Sequence, residues 1–153
     1  MKTIIVSLIT LALVISGMPA LAMDGHTMKH GSSHDSGGAM AGHFKHQAMS
    51  DHIHSEFQIM SLASMNMTDA GGATHHVMVK LMDGQTQSEI KSAVGKVKVI
   101  APDGKEQEGT LKNYGGVLAA NFTFSQKGKY GIICLFKAEG KQHVVKFWYP
   151  HQG

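Results

Sequence analysis

Short apolar runs, each cut off by a turn signal, dominate the sequence from residue 55 onward and leave it little choice but antiparallel β structure. Thr74 to Met82 is the clearest case. Val77, Val79 and Leu81 alternate with His76, Met78, Lys80 and Met82, and period two places the two sets on opposite faces of a strand. Further strands are expected at Phe57 to Met67, Val97 to Ile100, Thr110 to Lys112, Val117 to Phe124, Lys129 to Lys137 and His143 to Tyr149. Asp69-Ala70-Gly71-Gly72, Pro102-Asp103-Gly104, Tyr114-Gly115-Gly116 and Glu139-Gly140 supply the turns, while Gln87 to Ala93 reads as a loop. The expected fold is all-β, an immunoglobulin-like β-sandwich of about seven strands spanning residues 55–150.

The residues before this domain have a different character. Lys2, an apolar stretch from Ile4 to Ile15, the helix-breaking Gly17-Met18-Pro19 and the small residues of Ala20-Leu21-Ala22 have the order of a secretory signal, with cleavage expected after Ala22. The apolar stretch is shorter than the roughly 20 residues that span a bilayer. Residues 1–22 therefore predict export, to the periplasm or otherwise, with no stable membrane insertion after cleavage. Residues 23–54 hold little that could form a core, since Phe44 is their only aromatic. They read as a flexible tail rich in Gly, Ser, His and Met.

Histidine and methionine are where the chemistry lies. Nine histidines and eight methionines fall between Met23 and Met78. Thioether sulfur suits Cu(I), and imidazole suits copper, zinc and nickel, so the mixture points to copper, with silver as the close relative of Cu(I). Carboxylates are sparse in this stretch, against calcium or magnesium. In the tail, Met23, His26, Met28, His30, His34, Met40, His43, His46, Met49, His52 and His54 recur at gaps short enough to close several side chains on one ion. In the domain, the candidates are Met60, Met65, Met67, His75, His76 and Met78. His76-Val77-Met78 is a His-x-Met unit whose two ligands share a strand face. A hairpin of Phe57–Met67 with Thr74–Met82 would place Met65 or Met67 beside it, and a one-residue slip would reverse the face. Met60, Met78 and Met82 have a plainer alternative role as core fillers.

Other classes are disfavoured. The cations are all lysine and dispersed, with no arginine to read phosphate or bases, so no nucleic-acid partner is expected. The lone Cys134 cannot build a disulfide framework. Its apolar surroundings, Tyr130 to Phe136, mark it as a buried hydrophobe rather than a blue-copper ligand. No nucleophile motif, phosphate-binding glycine loop or His-Glu-x-x-His sequence is present, and no enzymatic activity is expected. His143 reads as a surface residue of the last strand, and His151 as a terminal residue able to fold back.

Thr74-His75-His76-Val77-Met78-Val79, Gly95 to Val99 with Pro102-Asp103-Gly104-Lys105, and Gly128-Lys129-Tyr130 together resemble the YtkA-like and FixH-like exported β-sandwich domains over roughly residues 55–150. That resemblance implies an immunoglobulin-like fold and metal handling outside the cytoplasm. The ligand spacing is also similar to that of the PCuAC periplasmic copper chaperones. Ten residues separate His43 from His54, and twenty-one separate His54 from His76 of the His-x-Met unit, although His54 stands where that family has methionine.

The expectation is thus a periplasmic copper-binding protein that captures, buffers or chaperones Cu(I). Its partner is the metal ion, with a metal transporter or oxidase-assembly protein as a further candidate. The alternatives are a β-sandwich accessory module of a metal-efflux or oxidase-assembly system, or a histidine-based nickel, cobalt or zinc buffer.

Overall fold

A computed structural model describes residues 43–153, and the expectations for the signal segment and for Met23, His26, Met28, His30, His34 and Met40 lie outside the described residues. The described chain is all-β. Eight strands run β1 His43–Ser50, β2 Ile53–Ser61, β3 His75–Asp83, β4 Val94–Ile100, β5 Glu106–Tyr114, β6 Val117–Phe122, β7 Gly128–Ala138 and β8 Lys141–His151. They form one antiparallel sheet in the order β1-β2-β3-β6-β5-β4-β7-β8. The sheet folds over at β5, which pairs with β6 in one layer and β4 in the other, so two layers enclose one core. No helix among the described residues is long and apolar enough to cross a membrane.

Alternation decides what goes inside. In β3, His75, Val77, Val79 and Leu81 are buried and the residues between them are not, as the period-two pattern requires. Phe57, Ile59, Leu118, Ile132 and Phe136 meet them in the core, each at most 1% exposed. Turn chemistry fixes the hairpins. Glu139 and Gly140 both have positive φ, 51° and 79°, the combination a two-residue turn needs to match strand twist.

Three expectations require correction. The ordered domain extends to at least His43, because residues 43–54 of the expected tail form β1 and the start of β2. What holds β1 is its inner face. Phe44 and Ala48 pack against the core, with Phe44 5.2 Å from Tyr149 and His46 stacked 4.3 Å from Phe147 on β8, so the two edge strands meet and nearly close the sheet. Secondly, the first expected strand stops at Ser61 rather than Met67. The chain turns there through a short 3-10 segment, Ala63–Met65, pinned by Leu62 N–H to Thr74 O at 2.9 Å. Finally, His143 is buried, not on the surface. It stacks on Phe136 at 5.1 Å and lies 3.1 Å through Nδ1 from Ser50 Oγ. Cys134 is fully buried, and burial pushes its thiol up to about 12.

Candidate metal centre

The outer face of β1, β2 and β3 carries the histidines and methionines in register. His43 lies opposite Met60, Met60 opposite His76, and His76 opposite Asn121 on β6. Directly opposed residues of an antiparallel pair share a face, with Cβ atoms about 4.5–5.5 Å apart. One thioether is therefore flanked on both sides by an imidazole. Met78 projects from the same face two residues along from His76 and diagonal to Met60.

Each imidazole of this row is oriented by an amide that a carboxylate in turn orients. Asp69 Oδ1 accepts from Asn121 Nδ2 at 2.9 Å, which fixes the amide so that Asn121 Oδ1 faces His76 Nδ1 at 2.6 Å. An amide oxygen can only accept, so Nδ1 of His76 holds the proton and Nε2 keeps its lone pair. The same logic runs on the other side. Gln58 Nε2 donates to Glu56 Oε1 at 2.6 Å, leaving Gln58 Oε1 to accept from His43 Nε2 at 3.1 Å, so the lone pair of His43 is on Nδ1. The hydrogen bond from Asn121 holds Asp69 below the usual carboxylate range, and that from Gln58 does the same for Glu56. Carboxylate-backed imidazoles of this kind are how proteins commonly fix the tautomer of a metal-binding histidine.

Four of the eleven candidate residues within the described chain thus come together at one end of this face: His43, Met60, His76 and Met78. Met60, Met78 and Met82 lie on the outer face, so they are not core fillers. Met65 and Met67 do not join the row. They sit in the connection between β2 and β3, and the register gives their expected place beside His76 to Met60. His75 points to the other side of β3, with Thr74 Oγ1 2.8 Å from its Nδ1 and the ring of His151 5.0 Å away. Burial first, then the charge of His151, lowers its pKa to about 4. His46 also faces inward, against Phe147 and Phe57. His54 and Met49 pair across β1 and β2 at the opposite end of the face, beside Met82. His54 is six residues from Met60, about 20 Å along a strand, so the spacing shared with the PCuAC chaperones is not gathered into one cluster.

His52 lies in the β1–β2 turn, where a different donor set forms. Its Nε2 is 2.7 Å from Glu139 Oε2 and 3.9 Å from Asp83 Oδ2, and one ligand atom from each lies within 4.8 Å of the others. Asp83 Oδ1 is occupied by the backbone N–H groups of Gln85 and Thr86, which turns Oδ2 toward His52. Neither carboxylate was visible as a partner of His52 in the sequence, since all three residues come from separate turns and strand ends. Asn121, Asp69, Gln58 and Glu56 were likewise missed, because only the register brings them beside the histidines.

No protein-family model matches the chain, and neither a curated protein nor a solved structure matches it.

Proposed function

We propose that this chain is an exported, periplasmic copper-binding protein that captures Cu(I) and buffers it or hands it on. The observation that carries the reading is the row His43–Met60–His76, in which both imidazoles are held as the tautomers that leave a nitrogen lone pair for a metal. Imidazole and thioether together favour Cu(I) over hard cations, and silver would follow Cu(I). The site lies on a solvent-facing sheet surface, which suits an ion that must be passed on to a metal transporter or an oxidase-assembly protein. Cu(I) competition against a chromophoric chelator tests this on the mature chain and on a variant with His43→Ala, Met60→Leu and His76→Ala together. Tight binding by the mature chain, markedly weakened in the variant, is expected. Binding of the mature chain no tighter than about micromolar, some 8 kcal/mol, would sink it.

A second reading has its own observation. His52, Asp83 and Glu139 offer one nitrogen and two oxygens and no sulfur, a set suited to zinc, nickel or cobalt in the divalent state. It predicts that His52→Ala removes Zn(II) binding while Met60→Leu leaves it unchanged.

A further inference from the structure

The same outer face carries a second group of soft donors at its other end. Met49 lies opposite His54, and His54 opposite Met82, so an imidazole on β2 is flanked by a thioether on each neighbouring strand. This inverts the composition of the first row, where a thioether is flanked by two imidazoles. Six residues of β2 separate His54 from Met60, about 20 Å, so one ion cannot draw on both rows. Lys45, Gln58, Gln47, Glu56 and Lys80 fill the face between them.

None of the three donors belongs to the core cluster, and His54 and Met82 are half-buried. Met49 is 61% exposed, and Met82 and His54 are on the outward positions of their strands. Leaving a long thioether in water at an edge strand gains nothing for the fold. The Met49 side chain also reaches across β2. A Cβ placed on Gly84, two residues beyond Met82, would lie 3.4 Å from Met49 Sδ and 3.3 Å from its Cε. Gly84 is held in that position by its N–H bond to His52 O at 2.6 Å, and a Cβ there would first meet that same oxygen at 2.8 Å, so the turn backbone requires the glycine and the Met49 thioether lies over it. Among the described residues no hydrogen bond engages either ring nitrogen of His54, whose charged neighbour on the same face is Glu56, so neither tautomer is imposed and whichever nitrogen carries the lone pair can turn to an ion.

We infer that Met49, His54 and Met82 form a second soft-ion site, separate from the first, so that this sheet face binds two Cu(I)-class ions. The inference rests on the copper reading above, since it uses the same donor chemistry, but it concerns different residues and can stand or fall alone. Thioether and imidazole donors on three adjacent strands suit an ion content with two or three soft ligands, and they exclude calcium and magnesium.

Silver(I), added as its nitrate in chloride-free buffer, is a redox-inert probe. It is titrated into the full mature chain labelled at the methionine methyls, so that each methyl is followed by NMR. The Met49 and Met82 signals are expected to move together along one saturation curve, and in His54→Ala both shifts are lost while that of Met60 persists. His76→Ala is expected to do the reverse. A Met49→Leu, Met82→Leu variant, followed through the His54 ring signals, gives the same reading should His54→Ala disturb the fold. Still signals from Met49 and Met82 at saturating silver would overturn the second site, as would shifts that survive His54→Ala or vanish in His76→Ala. A silent Met60 beside responsive Met49 and Met82 would instead remove the first site and leave the second in place.

Discussion

Replacing Asn121 with alanine isolates the contribution of tautomer control to metal binding. The side chain does not reach a metal ion in the proposed site. It acts only through His76, whose Nδ1 proton it accepts at 2.6 Å while its amide nitrogen is anchored 2.9 Å from Asp69. Without it, the imidazole proton is free to move to Nε2, the atom the ion requires, and the ring is free to turn. The net worth of one such hydrogen bond is about 0.5–1.5 kcal/mol, and 1.4 kcal/mol is a factor of ten, so the site should bind Cu(I) about tenfold more weakly. The upper limit is the roughly 100-fold loss seen when such supporting partners are removed. Stability should change by less than about 1 kcal/mol, because Asn121 is exposed and Asp69 keeps its bonds from the Gly71 and Ala73 N–H groups. Chelator competition, read at the Met60 methyl, measures the affinity at this site, and nitrogen NMR of the metal-free chain reports which ring nitrogen of His76 holds the proton. An affinity unchanged within about twofold, or a proton found on Nε2 of His76 in the parent chain, would refute the tautomer argument.

Other consequences follow from the division between inner and outer faces. Met60→Leu keeps volume at an outward position, so it should weaken Cu(I) binding while costing under about 1.5 kcal/mol of stability. Phe57→Ala, three residues earlier and fully buried, should cost about 3–5 kcal/mol in urea unfolding. In the metal-free chain, His75 resists protonation down to about pH 4, whereas in the unfolded chain it accepts a proton near 6.5. Its contribution is therefore complete above pH 6.5 and is lost as the pH falls toward 4, at most about 3 kcal/mol, and His75→Phe should remove that part of the slope in urea midpoints measured at pH 7 and pH 5. Cys134, buried and with its thiol pushed up to about 12, should ignore thiol reagents in the native protein and react only at the rate of unfolding.

The parts of this fold legible in the sequence are those whose faces differ most. β3 could be read residue by residue because Val77, Val79 and Leu81 are purely apolar and their neighbours are not, and β7 and β8 are separated by a turn pair that few other conformations accept. β1 could not be read. Its inward residues, Phe44, His46, Ala48 and Ser50, include one aromatic hydrocarbon, and the strand at a sheet edge is completed by rings on β8 that lie about a hundred positions away. The site shows the same boundary. His76 and Met78 are a local pattern, and their common face of β3 could be read from the sequence. Their partner was misplaced because β2 begins at Ile53, four residues before the expected start, and ends at Ser61, which moves Met60 rather than Met65 or Met67 opposite His76. Asn121 and Asp69 stand 45 and 52 positions from their partners, and no local periodicity carries that information.

The outer-face position of the proposed copper site has a physical consequence for how an ion would be held there. A site built into the core would be completed by folding, and losing the metal would cost structural stability. Here Val77, Val79, Leu81, Phe57 and Ile59 seal the other side of the same strands without help from any ligand. The hydrogen bonds that orient His43 and His76 are also made entirely among protein groups. The apo face is therefore organised before an ion arrives and should remain so after it leaves. In the proposed function, binding and release would then need only local motion of half-buried thioethers on that face, which is the energetic arrangement suited to exchanging an ion rather than keeping one.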